Sequence, residues 1–90
     1  MHFVYVLFSK KDKMLYVGIT NNLKIRIRQH LLGEVESTKN RRPLILIYYE
    51  AGREKSDALR RERYLKGGMG RGSLKKHLQD DLRKIGYKYL

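Results

Sequence analysis

The sequence predicts an α+β domain with its elements in the order strand, strand, helix, strand, helix, helix. Three observations predict it. Two short runs of strand-forming residues, Phe3 to Phe8 and Leu15 to Thr20, flank a polar stretch; Leu44 to Tyr49 is apolar at every position; and three other segments carry apolar residues at three- to four-residue spacing and end at Gly. Ninety residues suffice for one small core, and no repeat or compositional break divides them, so residues 1–90 are read as a single domain. With 41% hydrophobic residues and one Pro, the composition excludes a disordered tail.

In the first strand Val4, Val6 and Phe8 share one face and Phe3, Tyr5 and Leu7 the other. Ser9 to Lys13 make the turn, without the Gly that marks the tightest hairpins. The return strand places Leu15, Val17 and Ile19 on one face and Tyr16, Gly18 and Thr20 on the other. An even-numbered loop brings Tyr5 and Tyr16 to one face, opposite or diagonal to each other, and leaves the opposite face wholly apolar as the core side.

Asn21 or Asn22 is a natural N-cap for a helix from Leu23 to about Leu32, with Gly33 as its C′ residue. With Leu23 at zero on a helical wheel, Ile27 falls at about 40°, Leu31 at about 80°, His30 at about −20° and Arg26 at about −60°, so Arg26 and His30 adjoin on one flank of the apolar stripe. Glu34 to Arg42 reads as a polar, basic surface loop closed by Pro43. The unbroken apolar run of Leu44 to Tyr49 predicts a central strand covered on both faces. Ser56 is the expected N-cap of a helix from Asp57 to about Lys66, stopped by Gly67 and Gly68, and its apolar stripe contains a carboxylate, Glu62. A last helix is capped by Ser73, follows Leu74, Leu78, Leu82 and Ile85, and ends at Gly86.

Zero Cys excludes a disulfide scaffold, a thiol nucleophile and a zinc knuckle, which favours a cytoplasmic protein; no apolar run is long enough for a membrane helix, and no targeting segment is visible. The charge is the informative property. Twenty-one Lys and Arg against nine Asp and Glu give +12, spread evenly over both halves of the chain. A folded surface this basic attracts polyanions, which makes nucleic acid the leading partner class, with a ribonucleoprotein assembly role as another.

Each candidate site residue also has an ordinary explanation. Glu62 can pair with Lys66 one turn on, or face inward to serve a metal or a proton; one carboxylate suffices for Mg²⁺, which keeps water and substrate phosphate in its other positions. His30 can cap the last turn of its helix, Arg26 can be a solvated charge, and Tyr5 and Tyr16 can be strand formers among seven tyrosines.

Taken together, the ordered set is more specific. Phe3-Val4-Tyr5, ten residues, Tyr16-Val17-Gly18, then Arg26, His30 and a helical Glu62 resemble the GIY-YIG nuclease superfamily. The strings Tyr16 to Leu23, Arg41 to Leu44 and Tyr48 to Glu50, with Ala58, Arg61, Glu62, Leu65 and Lys66, are similar to its small stand-alone members. Phe3 stands where the motif has its first glycine, Val17 where it has isoleucine, and the C-terminal asparagine of some members has no counterpart.

The resemblance implies a three-stranded antiparallel sheet flanked by helices and a metal-dependent endonuclease acting on DNA, with RNA also open. It implies catalytic roles for Tyr5, Tyr16, Arg26, His30 and Glu62, with Glu62 holding Mg²⁺ or Mn²⁺ and no small-molecule cofactor. Either tyrosine can be the general base if positive charge lowers its pKa. Arg26 suits phosphate oxygens through its planar fork. Gly18, lacking a side chain, would let a phosphate backbone approach the sheet. Lys39, Arg41, Arg42, Arg60, Arg63 and Arg71 are expected backbone contacts. The alternative is a non-catalytic nucleic-acid-binding module on the same scaffold.

Overall fold

The computed structural model describes residues 1–89. Strands β1 (His2–Ser9), β2 (Leu15–Thr20) and β3 (Leu44–Gly52) form an antiparallel sheet in the order β2-β1-β3. Helix α1 (Leu23–Leu31) and a short 3-10 turn (Lys39–Arg41) separate β2 from β3, and α2 (Lys55–Lys66), α3 (Gly68–His77) and α4 (Gln79–Ile85) follow. This is the predicted α+β architecture.

Both sheet faces are covered. Val4, Val6, Phe8, Leu15 and Val17 pack against Ala58, Leu65, Leu74 and Leu82 of the three later helices. On the other face Tyr5, Leu7 and Leu44 form a smaller cluster with Tyr16, Leu23, Ile27 and Leu46 under α1. The six residues between the Phe8↔Leu15 pair set the register, so Tyr5 pairs with Gly18 and Leu7 with Tyr16. Tyr5 and Tyr16 are therefore diagonal neighbours on the α1 face. Lys13, in the left-handed region at φ 63°, takes the turn position a glycine would normally fill.

β3 is an edge strand and not the central one. What its unbroken apolar run requires is a helix over each face: Ile45 and Ile47 join one cluster, Leu44 and Leu46 the other. A β-bulge opposite Val6 and Leu7 adds one residue to β3 and flips the phase beyond it, so Tyr49 pairs with Tyr5 and lands on the α1 face.

Asn22 caps α1 by accepting a bond from the Ile25 amide at 3.2 Å, and Gly33 takes the left-handed conformation at φ 78°. Leu31, predicted in the buried stripe, is 50% exposed, and His30 is the fully buried residue of α1. Two helix boundaries also differ. Ser56 lies inside α2, whose N-cap is Glu54, and the single last helix is two, with a break at Leu78 and a start at Gly68 instead of Ser73. The glycines read as a stop allow close packing: a Cβ on Gly70 would lie 1.8 Å from the Tyr64 carbonyl oxygen, so α3 can fold back onto α2 only with glycine there. Leu74 and Leu82 are buried on either side of the break, which preserves the predicted stripe. Among the described residues, no helix is long and apolar enough to cross a membrane.

Candidate active site

The α1 face of the sheet brings Tyr5, Tyr16, Arg26 and His30 together. The Tyr5 side chain crosses the space above its partner Gly18: a Cβ there would lie 2.4 Å from both the Cζ and the hydroxyl of Tyr5. Gly18 is thus required by the tyrosine, and the gap predicted to admit a phosphate is filled by a phenol ring. Tyr5 is 1% exposed, and its hydroxyl lies 2.7 Å from His30 Nε2. On the far side of the imidazole, Nδ1 lies 2.7 Å from Thr38 Oγ1, and both His30 and Thr38 are fully buried. A buried line Tyr5–His30–Thr38 results, joining β1, α1 and the loop before β3.

Tyr16 closes the group. Tyr16 is half-buried; its ring packs edge-on to His30 at 5.3 Å and tilted to Tyr5 at 6.4 Å, and its hydroxyl accepts an exposed bond from Ser37 Oγ at 3.2 Å. Arg26, one turn before His30, donates to Gln29 Oε1 at 3.2 Å. Burial, reinforced by the Arg26 charge, lowers the His30 pKa to about 4, so the imidazole is neutral at neutral pH. Burial also raises the pKa of Tyr5; the neighbouring Arg26 guanidinium works against this rise, while the negative charge of Glu62 adds to it. A standing tyrosinate at Tyr5 is therefore disfavoured.

Glu62 faces inward and also makes the expected ion pair. Its side chain is only 14% exposed, and its carboxylate pairs with Lys66 Nζ at 3.3 Å. The preceding residue, Arg61, anchors α2 to the sheet by donating from Nε to both carboxylate oxygens of Glu50, at 3.0 and 3.1 Å.

The comparisons with known proteins give the family. The family model described as the GIY-YIG catalytic domain matches residues 1–84. The chain belongs to the GIY-YIG family. It is 44% identical over 66 residues to a UPF0213 protein of Staphylococcus haemolyticus, covering 72% of this chain and 79% of the relative. It is 43% identical to one of Clostridium perfringens over 73% and 71% of the two chains, and 41% identical to one of Natronomonas pharaonis over 72% and 76%. No solved structure gives a significant match. GIY-YIG membership makes this a nuclease-type domain.

Within the GIY-YIG domain the six expected backbone contacts divide by environment. Arg41 is committed to structure: its guanidinium bonds the Asp12 carboxylate and the Leu15 carbonyl, tying the loop before β3 to the β1–β2 turn, and it holds the Asp12 pKa below the ordinary value. Arg71 donates to the Leu65 carbonyl at 3.4 Å. Lys39 pairs with Glu36 and Arg60 with Asp57, both in exposed one-turn pairs that a phosphate could displace. Arg42 and Arg63 are exposed.

Sequence reasoning missed Thr38 and Ser37, which sit in what reads as a solvated loop. The one available signal was Val35, an apolar residue that is buried and folds the loop back onto the domain. Among the described residues no three or more His, Cys, Asp or Glu side chains cluster, so a multi-ligand metal cage is not available. A single inward carboxylate, hard and oxygen-based, fits Mg²⁺ or Mn²⁺, which keep most of their positions for water and phosphate.

Proposed function

We propose that this domain is a metal-dependent endonuclease that hydrolyses phosphodiester bonds in DNA. The observation that carries the reading is the buried line from the Tyr5 hydroxyl through His30 to Thr38, set beside Arg26. The +12 charge supports a nucleic-acid substrate. Glu62 would hold the metal, which when bound neutralises charge on the phosphate and on the departing oxygen.

Arg26 binds the scissile phosphate through its planar fork. In this reading the Tyr5 O–H donates to His30 Nε2, and neutral His30 carries its single proton on Nδ1, donated to Thr38 Oγ1. As the attacking water forms its bond to phosphorus and the P–O bond to the leaving oxygen breaks, the water proton passes to Tyr5 Oη while the Tyr5 proton passes to His30. The relay never requires a free tyrosinate, which the raised pKa of Tyr5 disfavours. Burial, and secondarily the Arg26 charge, hold down the proton affinity of His30, and a phosphate on Arg26 would offset the second of these. Tyr16, Lys39, Arg42, Arg60 and Arg63 complete the surface the substrate meets.

Incubating the protein with end-labelled duplex, branched and single-stranded DNA and with RNA, in Mg²⁺ or Mn²⁺ against chelator, tests the proposal. The expected result is metal-dependent scission that Arg26→Ala abolishes. Tight binding without scission of any of these substrates would instead establish the non-catalytic module.

A further inference from the structure

On the other flank of α1 from Arg26 and His30 lies a groove of about 670 Å³ whose walls are mostly apolar. Its floor is built from Leu46 and Ile27 and its open side from Phe3 and Tyr49, whose rings lie 6.3 Å apart at 59°. Tyr49 is 53% exposed, a large aromatic left uncovered at the mouth of the groove. It is there because of the bulge in β3, which turns it to the α1 face directly across from Tyr5. Neighbouring strands are about 4.8 Å apart, so the groove adjoins the Tyr5 site one strand over.

The rim selects the occupant. Lys24 and Arg28 project from the outer flank of α1 beside the groove, and neither pairs with an acidic side chain among the described residues. An apolar aromatic platform bordered by two uncommitted cations matches a ligand with a flat π face and an anionic backbone. A second copy of this chain would bring +12 against +12 and set the same cations against each other. Sequence-tolerant single-strand binding uses this pairing of exposed aromatic and basic side chains.

We propose that this groove holds an unpaired nucleotide of the substrate, its base stacked on Tyr49 and its backbone phosphates on Lys24 and Arg28, so that the domain prefers DNA with a single-stranded segment next to the scissile bond. The inference rests on the nuclease reading for its substrate. A base inside a duplex is already stacked on both faces and cannot enter, whereas an overhang, flap or single strand can.

The test is binding in chelator, where no cutting occurs, by fluorescence anisotropy of a labelled single strand and of the blunt duplex formed from it. Tyr49→Ala is expected to weaken single-strand binding about tenfold and to leave blunt-duplex binding unchanged, while Tyr49→Phe, which keeps the ring, binds like wild type. Lys24→Ala and Arg28→Ala should each reduce the single-strand salt slope by about 0.7. Equal affinity of wild type and Tyr49→Ala for the single strand, or an equal loss on both DNAs, would overturn the proposal. So would self-association that Tyr49→Ala abolishes without changing DNA binding, since the groove would then belong to a second copy. The half-exposed position of Tyr49 is expected to spare the fold, and thermal melting of the variants checks this. Absence of metal-dependent scission by wild type would contradict the nuclease reading and leave this binding difference standing; loss of the difference with scission intact would contradict the groove alone.

Discussion

Tyr5 and His30 lie 25 residues apart in the chain and share a buried hydrogen bond of 2.7 Å, with their ring centroids 5.4 Å apart and their planes inclined at 68°. A neutral imidazole with one nitrogen on a phenol and the other on a buried hydroxyl has its orientation fixed from both sides. The site's chemistry therefore depends on residues that never touch a substrate.

Thr38 is the first of these. Thr38→Val keeps the shape and leaves His30 Nδ1 without its partner, at a cost of about 1–3 kcal/mol in stability. Cleavage should fall with it and be restored in Thr38→Ser, which retains the hydroxyl. Urea denaturation and single-turnover rates on the same three proteins check both effects.

Gly18 is the second. A methyl group at this position would lie 2.4 Å from the Tyr5 hydroxyl and must displace the ring. Gly18→Ala is expected to break the Tyr5–His30 bond, seen as a shift of the His30 imidazole resonances in NMR spectra, and to lower cleavage at least as much as Tyr5→Phe does. Unshifted resonances would mean that the ring is not held against Gly18.

Stability should fall in mild acid. His30 titrates at about 4 in the folded protein against an ordinary value of 6.5, so between these pH values the unfolded chain binds more protons than the folded one. The stabilisation is complete above about pH 6.5 and declines as pH falls toward 4, by about 3 kcal/mol in all. Asp12, whose pKa Arg41 lowers from 3.8, adds stabilisation that is lost only as pH falls below that value. Urea midpoints across this window should slope for wild type and lie nearly flat in His30→Gln.

Much of this was legible in the sequence because the information was local. Alternation over Phe3 to Phe8 and Leu15 to Thr20 encodes which face each side chain takes, and Asn22 and Gly33 mark the ends of α1 by capping chemistry. What stayed hidden depends on contacts distant in sequence. The edge position of β3 could not be inferred, because helices on both faces produce the same apolar run as strands on both edges. Gly68 to Gly72 read as a break because helix propensity is poor there, and the close approach of α3 to Tyr64 overrides it. Thr38 and Arg41 look solvated until the loop folds back, the one onto His30 and the other onto Asp12.

The most direct measurement is the single-turnover cleavage rate of end-labelled DNA in Mg²⁺ by wild type and Tyr5→Phe, with binding in chelator and thermal melting recorded on both. Removing one hydroxyl from the end of the buried line should slow cleavage by about 10²-fold or more while DNA affinity stays unchanged and the variant stays folded. Cleavage by folded Tyr5→Phe at the wild-type rate would contradict the assignment of proton transfer to Tyr5 and His30.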